Sequence, residues 1–318
     1  MTKIALLMCI CEGELDIAHD ALSSFIKCCQ GEITLFLVDD ASPSYVGQSL
    51  ADRFIQQTGS KAHCLRLPKA LKYRGNAQRT FLGLQSIRDV GRDFDLVVKL
   101  DADALVVREG LEEEMAAYCT DGCGLYGETF NMRLCDRVLF SSDLLPFGFK
   151  RKSVNGVIER RWQLSRTFPV WWSDFGYRGI RGGFRFNCIL GSFWFMGWKT
   201  FCSLSDRGYF RRDQSKHGFV FNDDVLLTTA VHALKHPVVN LGQRSFSWKD
   251  TLIIHEETVQ VNALWSRKPF VIHPLKNTPV SWRLRQEFKM LAAGQGDQPK
   301  APLRAYIEDV QKAGSSSK

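Results

Sequence analysis

The stretch Asp95-Leu96-Val97-Val98-Lys99-Leu100-Asp101-Ala102-Asp103-Ala104 decides how the rest of the chain reads. An apolar, β-branched run of strand length delivers two carboxylates, one residue apart, to its end. Such a run fits a strand buried in an α/β sheet, and open α/β sheets bind ligands beyond the carboxyl ends of their strands. Carboxylate oxygens suit Mg²⁺ or Mn²⁺, and a site with few protein ligands leaves room for substrate phosphates. Asp101 and Asp103 are therefore candidates for a metal and nucleotide site. Two acids after a strand are by themselves a common loop feature, so the surrounding pattern has to carry the reading.

Toward the N-terminus, strand-like and helix-like segments alternate in the manner of repeated βαβ units. Strands are expected at Lys3–Ile10, Ile33–Val38, His63–Leu67 and Leu96–Leu100. Leu15, Ala18, Leu22 and Phe25 recur at helical spacing, as do Phe81, Leu84 and Ile87 after the Arg74-Gly75-Asn76 turn. The expected fold class is α/β, with a mixed, mostly parallel central sheet flanked by helices. The second strand ends in another acidic pair, Val38-Asp39-Asp40-Ala41-Ser42-Pro43. Its carboxylates can accept from a ribose hydroxyl or a base N–H, or can cap the turn that Pro43 fixes.

Toward the C-terminus the regularity fades between Thr129 and Gly183, where prolines and glycines punctuate aromatic and basic residues. A strand is expected again at Cys188 to Met196, then a helix from Asp223 to Ala233 capped by Asn222, and an amphipathic helix around Trp282 to Leu291. The expected organisation is a nucleotide-binding half at 1–128, an irregular basic and aromatic insertion at 129–187, an acceptor-binding and catalytic half at 188–293, and a linker, short helix and frayed tail at 294–318.

Composition narrows the classes. Hydrophobic residues at 45% and charged residues at 24% are ordinary for a globular chain, and no apolar run reaches membrane-spanning length. Met1-Thr2-Lys3 leads straight into a strand-like segment without a signal-peptide cleavage pattern, so a cytoplasmic protein is expected. The ten cysteines are scattered outside any zinc or disulfide framework and read as reduced thiols. The net charge of +8 favours phosphate-bearing or anionic partners, among them an anionic membrane surface met peripherally. The cations cluster in one irregular segment, Lys150 to Arg185, without a recognised nucleic-acid-binding motif, so no nucleic-acid partner is expected.

Taken together, a short strand with an acidic loop, then V-D-D-A-S-P, a basic turn before a helix, and a strand ending D-A-D resemble the N-terminal half of family 2 glycosyltransferases with the GT-A (Rossmann-like) fold. The resemblance covers Lys3 to Val107, with weaker matches as far as His273. It implies a nucleotide-sugar donor, with a UDP-sugar expected, and Mn²⁺ or Mg²⁺ as cofactor. Carried over residue by residue, Asp39 or Asp40 would meet the base or ribose, Asp101 the ribose side and Asp103 the metal. Glu12 in the acidic loop joins the nucleotide-binding set, and Arg74, preferred over Lys69 and Lys72, would add positive charge for the diphosphate. The expected Pro-x-Tyr-Asn-like signature after the first strand is replaced by Cys9-Ile10-Cys11-Glu12-Gly13-Glu14.

Further along, Phe221-Asn222-Asp223-Asp224-Val225-Leu226 resembles the family's E-D-V-x-L segment, whose second acid is the base in inverting members. That implies Asp224 as catalytic base, with Asp223 in reserve. Leu190-Gly191-Ser192-Phe193-Trp194-Phe195-Met196-Gly197-Trp198 resembles the strand lining the sugar and acceptor subsites. Gly191 and Ser192 would permit close approach there, and Trp194 and Trp198 would stack on sugar faces. His273, ending the apolar run Phe270-Val271-Ile272, is the expected third metal ligand, ahead of His255. The acceptor is expected to be a glycan or other hydroxyl-bearing molecule, anionic if the basic insertion meets it.

Two other classes compete. Haloacid-dehalogenase phosphatases also place D-x-D after a strand, although Leu105 stands where their Thr or Val usually follows. A non-catalytic carbohydrate- or polyanion-binding module would use the insertion and leave the acids idle.

Overall fold

The computed structural model describes residues 1–71, 76–131, 178–179, 181–184, 187–210, 223–241, 261, 265–266 and 268–294. The chain opens with β1 (Lys3–Ile10), α1 (Leu15–Cys28), β2 (Glu32–Asp39), α2 (Val46–Thr58), β3 (Ala62–Arg66), α3 (Asn76–Asp89) and β4 (Leu96–Leu100). β1 runs parallel to β2 and β4, and β2 runs parallel to β3. Alternation along β1 divides the core. Ile4, Leu6 and Met8 pack beneath α1 and α2, while Ala5 and Leu7 face α3 on the other side. Both sets are fully buried, which is why the strand reads as an unbroken apolar run.

α1 buries Ile17, Ala18, Ala21, Leu22 and Phe25, a stripe of helical period set against the sheet. α3 buries Ala77, Phe81, Leu84 and Ile87 in the same way. Burying side chains of this size contributes about 1.5–3 kcal/mol each, so these stripes, rather than helix propensity, hold the helices in place.

After β4 come β5 (Leu105–Val106), α4 (Leu111–Tyr118), β6 (Leu125–Asn131), β7 (Asn187–Gly197), α5 (Trp198–Asp206), α6 (Asp223–Ala233), β8 (Val238–Asn240), β9 (Val271–Ile272) and α7 (Pro279–Ala292). β7 is antiparallel to β4 and β6, and β8 is parallel to β6. The large sheet has the order β3-β2-β1-β4-β7-β6-β8. It is mixed and mostly parallel, as the sequence led us to expect. The two expected halves share this sheet, and pairing with β7 carries β6 through the 128/129 boundary to Asn131.

A second, two-stranded sheet fixes the C-terminal part. Antiparallel pairing of Leu105 with Ile272 and of Val106 with Val271 brings the chain at 273 back to the end of β4, and Leu275 N donates to Asp103 O at 2.7 Å. α7 then begins at the Thr278 cap, whose hydroxyl accepts from Ser281 N, with Pro279 at the first turn. Arg285 has no exposed surface; it pairs with Asp20 of α1 at 2.8 Å and donates to Leu275 O at 3.0 Å. Lys289 joins the same aspartate. Segment 273–278 is thereby clamped between α7 and the sheet. The cap residue Asn222, His255 and the linker after Gly294 lie outside the described residues, as does nearly all of the 129–187 insertion. Every described cysteine is a free thiol, and among the described residues no helix is long and apolar enough to cross a membrane.

Candidate functional site

At the edge where β1 and β4 end, the strands, α3, α6 and the 273–276 segment wall a cleft of about 440 Å³. The β4/β7 register places Asp101 beside Ser192, whose carbonyl accepts from Asp101 N at 2.8 Å. On this wall Asp101, Asp103 and His273 offer ligand atoms that all lie within 4.8 Å of one another.

Asp103 is 6% exposed; its carboxylate meets His273 Nε2 at 2.9 Å and also pairs with Lys276. Burial pushes its pKa up, but His273 and Lys276 outweigh burial and hold it well below the usual carboxylate range. A buried anion of this kind needs cationic neighbours. Two carboxylates with one imidazole fit Mn²⁺ or Mg²⁺, with Mn²⁺ the better match to a mixed oxygen and nitrogen set.

The opposite wall is the first turn of α6. Asp223 accepts from Thr80 Oγ1 at 2.9 Å and lies 3.3 Å from Lys99 Nζ. Lys99 is 4% exposed and donates to Asp101 Oδ1 at 2.7 Å and to the Gly191 carbonyl. Three acceptors around one ammonium use its full donor capacity. Burial works against the charge on Lys99, and Asp101 with Asp223 outweighs it, so the lysine stays ionised.

This lysine separates the behaviour of the two acids. For Asp223, burial is outweighed by Lys99 and by hydrogen bonds from Asp224 and Thr80, and its pKa falls. For Asp224, burial and then repulsion from Asp223 push the pKa well above the ordinary value, so the proton of the pair resides there. A Cβ at Gly191 would stand 3.0 Å from Asp224 Oδ1 and 3.2 Å from Asp223 Oδ1. The glycine is what lets the acid pair lie against β7.

No family model matches the sequence, and no curated protein matches it either. Among solved structures, the apo bifunctional glycosyltransferase WbbM superposes with a TM-score of 0.51 at 11% identity, over 92% of this chain and 52% of WbbM. The fold is GT-A-like. Two further similar structures are a mannosyltransferase from Pyrobaculum calidifontis in complex with GDP-Man and Mn²⁺ and the galactosyltransferase LgtC in complex with donor and acceptor sugar analogues. The first has a TM-score of 0.45 at 10% identity over 96% of this chain and 68% of its own. LgtC has 0.46 at 14% identity over 93% and 98%.

Within this GT-A frame the cleft gathers Asp101, Asp103, Gly191, Ser192, Asp223, Asp224 and His273. Other expected residues are placed elsewhere. Asp39 has no exposed surface, because its carboxylate accepts from Ser42 N, Ser42 Oγ and Gly47 N and so builds the turn into α2. Asp40, 5% exposed, is taken up by Leu71 N at 2.6 Å and Arg79 at 3.0 Å. Glu12 turns away from the cleft to accept from Ser44 Oγ, and Glu14 lines the cleft instead. Trp194 is entirely within the core, since strand alternation points it at α3 and α6, where no sugar can stack. Trp198 sits at the far edge of the sheet, stacked on Phe201, with its indole N–H donating to Asp93. Arg74 lies outside the described residues.

Sequence reasoning missed Lys99, Arg79, Thr80 and Lys276, all of which line or complete the cleft. Lys99 did carry a signal, for a lone charge inside a buried apolar strand demands partners. Nothing in the α3 sequence distinguishes Arg79 from an ordinary surface cation.

Proposed function

We propose that this chain is a metal-dependent, inverting glycosyltransferase that moves a sugar from a nucleotide donor, in the first instance a UDP-sugar, to a hydroxyl of a glycan or another acceptor. One observation carries the reading: a single cleft joins a metal-suited Asp101, Asp103 and His273 group to the Asp223/Asp224 pair, with Lys99 between them. Likeness to WbbM, a bifunctional glycosyltransferase, supports it at the level of fold.

Asp101, Asp103 and His273 would hold Mn²⁺ or Mg²⁺, which supplies positive charge against the departing diphosphate. Arg79 takes the supporting role expected of Arg74, since its side chain lines the cleft and its Nε is buried without a partner. Asp224, ionised, removes the acceptor hydroxyl's proton as that oxygen attacks the anomeric carbon on the face opposite the leaving nucleoside diphosphate. Asp223 stays charged against Lys99 and keeps Asp224 basic. Ser192 lines the cleft, and its Oγ, buried without a hydrogen-bond partner, is suited to a hydroxyl of the bound sugar. The 1–128 and 188–293 halves meet across this cleft, and the basic 129–187 segment would shape the acceptor side, favouring an anionic acceptor or peripheral contact with an anionic membrane from the cytoplasm.

A thermal-shift series with UDP, GDP and their sugars, with and without Mn²⁺, tests the reading. A rise in melting temperature that needs both nucleotide and metal is expected. Absence of any shift with either nucleotide in the presence of Mn²⁺ removes the proposal, and release of inorganic phosphate instead of nucleoside diphosphate would point to hydrolysis of another kind.

A further inference from the structure

Asp103 is tied to one short stretch of chain through both carboxylate oxygens: Oδ1 faces His273 Nε2, and Oδ2 faces the ammonium of Lys276. The two partners differ in how they are held. His273 is 7% exposed and walled in, whereas the Lys276 side chain is 59% exposed. The chain around Lys276 is tied on both sides, by the Leu275 backbone before it and the Asn277 side chain after it. Leu275 N donates to Asp103 O and Leu275 O accepts from Arg285, while Asn277 Nδ2 donates to Gly13 O at 3.1 Å. The lysine can therefore leave Asp103 by rotation of its side chain alone, with no loop movement.

A dication at Asp101, Asp103 and His273 and an ammonium on the same Asp103 carboxylate repel each other across a few ångströms of partly buried space. We propose that Lys276 is the resident counter-ion of the metal seat, which it leaves for the diphosphate of the donor, so that metal binding becomes conditional on nucleotide. The inference rests on the metal reading above and goes beyond it, because it assigns Lys276 a place in both states. Without nucleotide, Lys276 neutralises Asp103 and competes with the ion. With a diphosphate in the cleft, the displaced ammonium has an anion to meet. The competition is then relieved, and nucleotide and metal each tighten the other by the same factor, as linkage requires.

Mn²⁺ titrations of the full chain, with the free ion followed by electron paramagnetic resonance, test this without an activity assay. In wild type, saturating UDP or GDP is expected to tighten Mn²⁺ binding by a factor in the roughly 5–150-fold range usual for coupled sites. Lys276→Met should bind Mn²⁺ more tightly than wild type when no nucleotide is present, and the nucleotide's further effect should shrink. Lys276→Arg, which keeps the charge, should behave as wild type. Because the side chain is exposed, both variants are expected to melt within a few degrees of wild type. If wild type binds Mn²⁺ with nucleotide and Lys276→Met gains nothing without it, this inference falls while the metal reading stands. If neither protein binds Mn²⁺ under any condition, both fall together.

Discussion

Asp223 and Asp224 are neighbours on one helical turn, yet their pKa values move in opposite directions: burial and the charge of Asp223 push Asp224 up, while Lys99 outweighs burial at Asp223 and holds it down. A base must be ionised to accept a proton, and the raised pKa of Asp224 keeps it protonated to higher pH than a free aspartate. Turnover is therefore expected to rise with pH along a limb that lies above the ordinary carboxylate value of about 3.9. A kcat profile that is already flat at that value would contradict the assignment. Asp224→Asn should lower kcat by roughly 10²–10⁴-fold, the usual weight of a general base, while leaving the nucleotide and Mn²⁺ thermal shift in place. Lys99→Met has a different signature, since it leaves Asp101 and Asp223 facing each other with no cation between them. It should destabilise the chain by about 3 kcal/mol, read as a lower urea midpoint at unchanged slope. That lysine was visible in the sequence as a charge inside an apolar run, but two of its three partners come from 92 and 124 positions further along and were not.

At the scale of elements, close approach decides more than propensity. At the β7/α5 junction a Cβ on Gly197 would stand 2.2 Å from the backbone oxygen of Gly122, an atom that cannot swing aside. Gly197→Ala is expected to cost about 2 kcal/mol by overpacking, measurable as a lower melting temperature. α7 acts on the site at a distance through Arg285, which holds both Asp20 and the Leu275 carbonyl. Arg285→Met should loosen the 273–278 segment and weaken Mn²⁺ binding in the presence of nucleotide, with far-UV circular dichroism preserved; unchanged binding would show that the clamp is dispensable. The β1, β2 and β4 strands and the α1 and α3 helices could be marked out from periodicity, because each buries an apolar run or stripe of its own. β9 could be read from the apolar run Phe270-Val271-Ile272 before His273, whereas β5 and β8 could not, since two- and three-residue strands exist only through their partners.

For the whole molecule, the cleft gathers residues from both ends of the chain, so ligand binding should stabilise the fold as a unit. At nucleotide and Mn²⁺ concentrations 100-fold above Kd, a stabilisation of about 2.7 kcal/mol is expected, and an unfolding transition that stayed single and moved upward as one would support it. By itself the sequence determined the alternating α/β order, the buried strands, and the positions along the chain of the Asp101/Asp103 pair, the Asp223/Asp224 pair and His273. These are local matters, fixed by side-chain period and by which residue follows a strand. Only the tertiary structure decided which acids face the cleft. Asp39 and Asp40 resemble Asp101 and Asp103 along the chain, but hydrogen-bond donors from the α2 turn, Leu71 and Arg79 consume them. Trp194 was an equally good stacking surface until strand pairing turned it inward. Burial and partner choice depend on contacts between distant segments, and a carboxylate's role follows from what surrounds it.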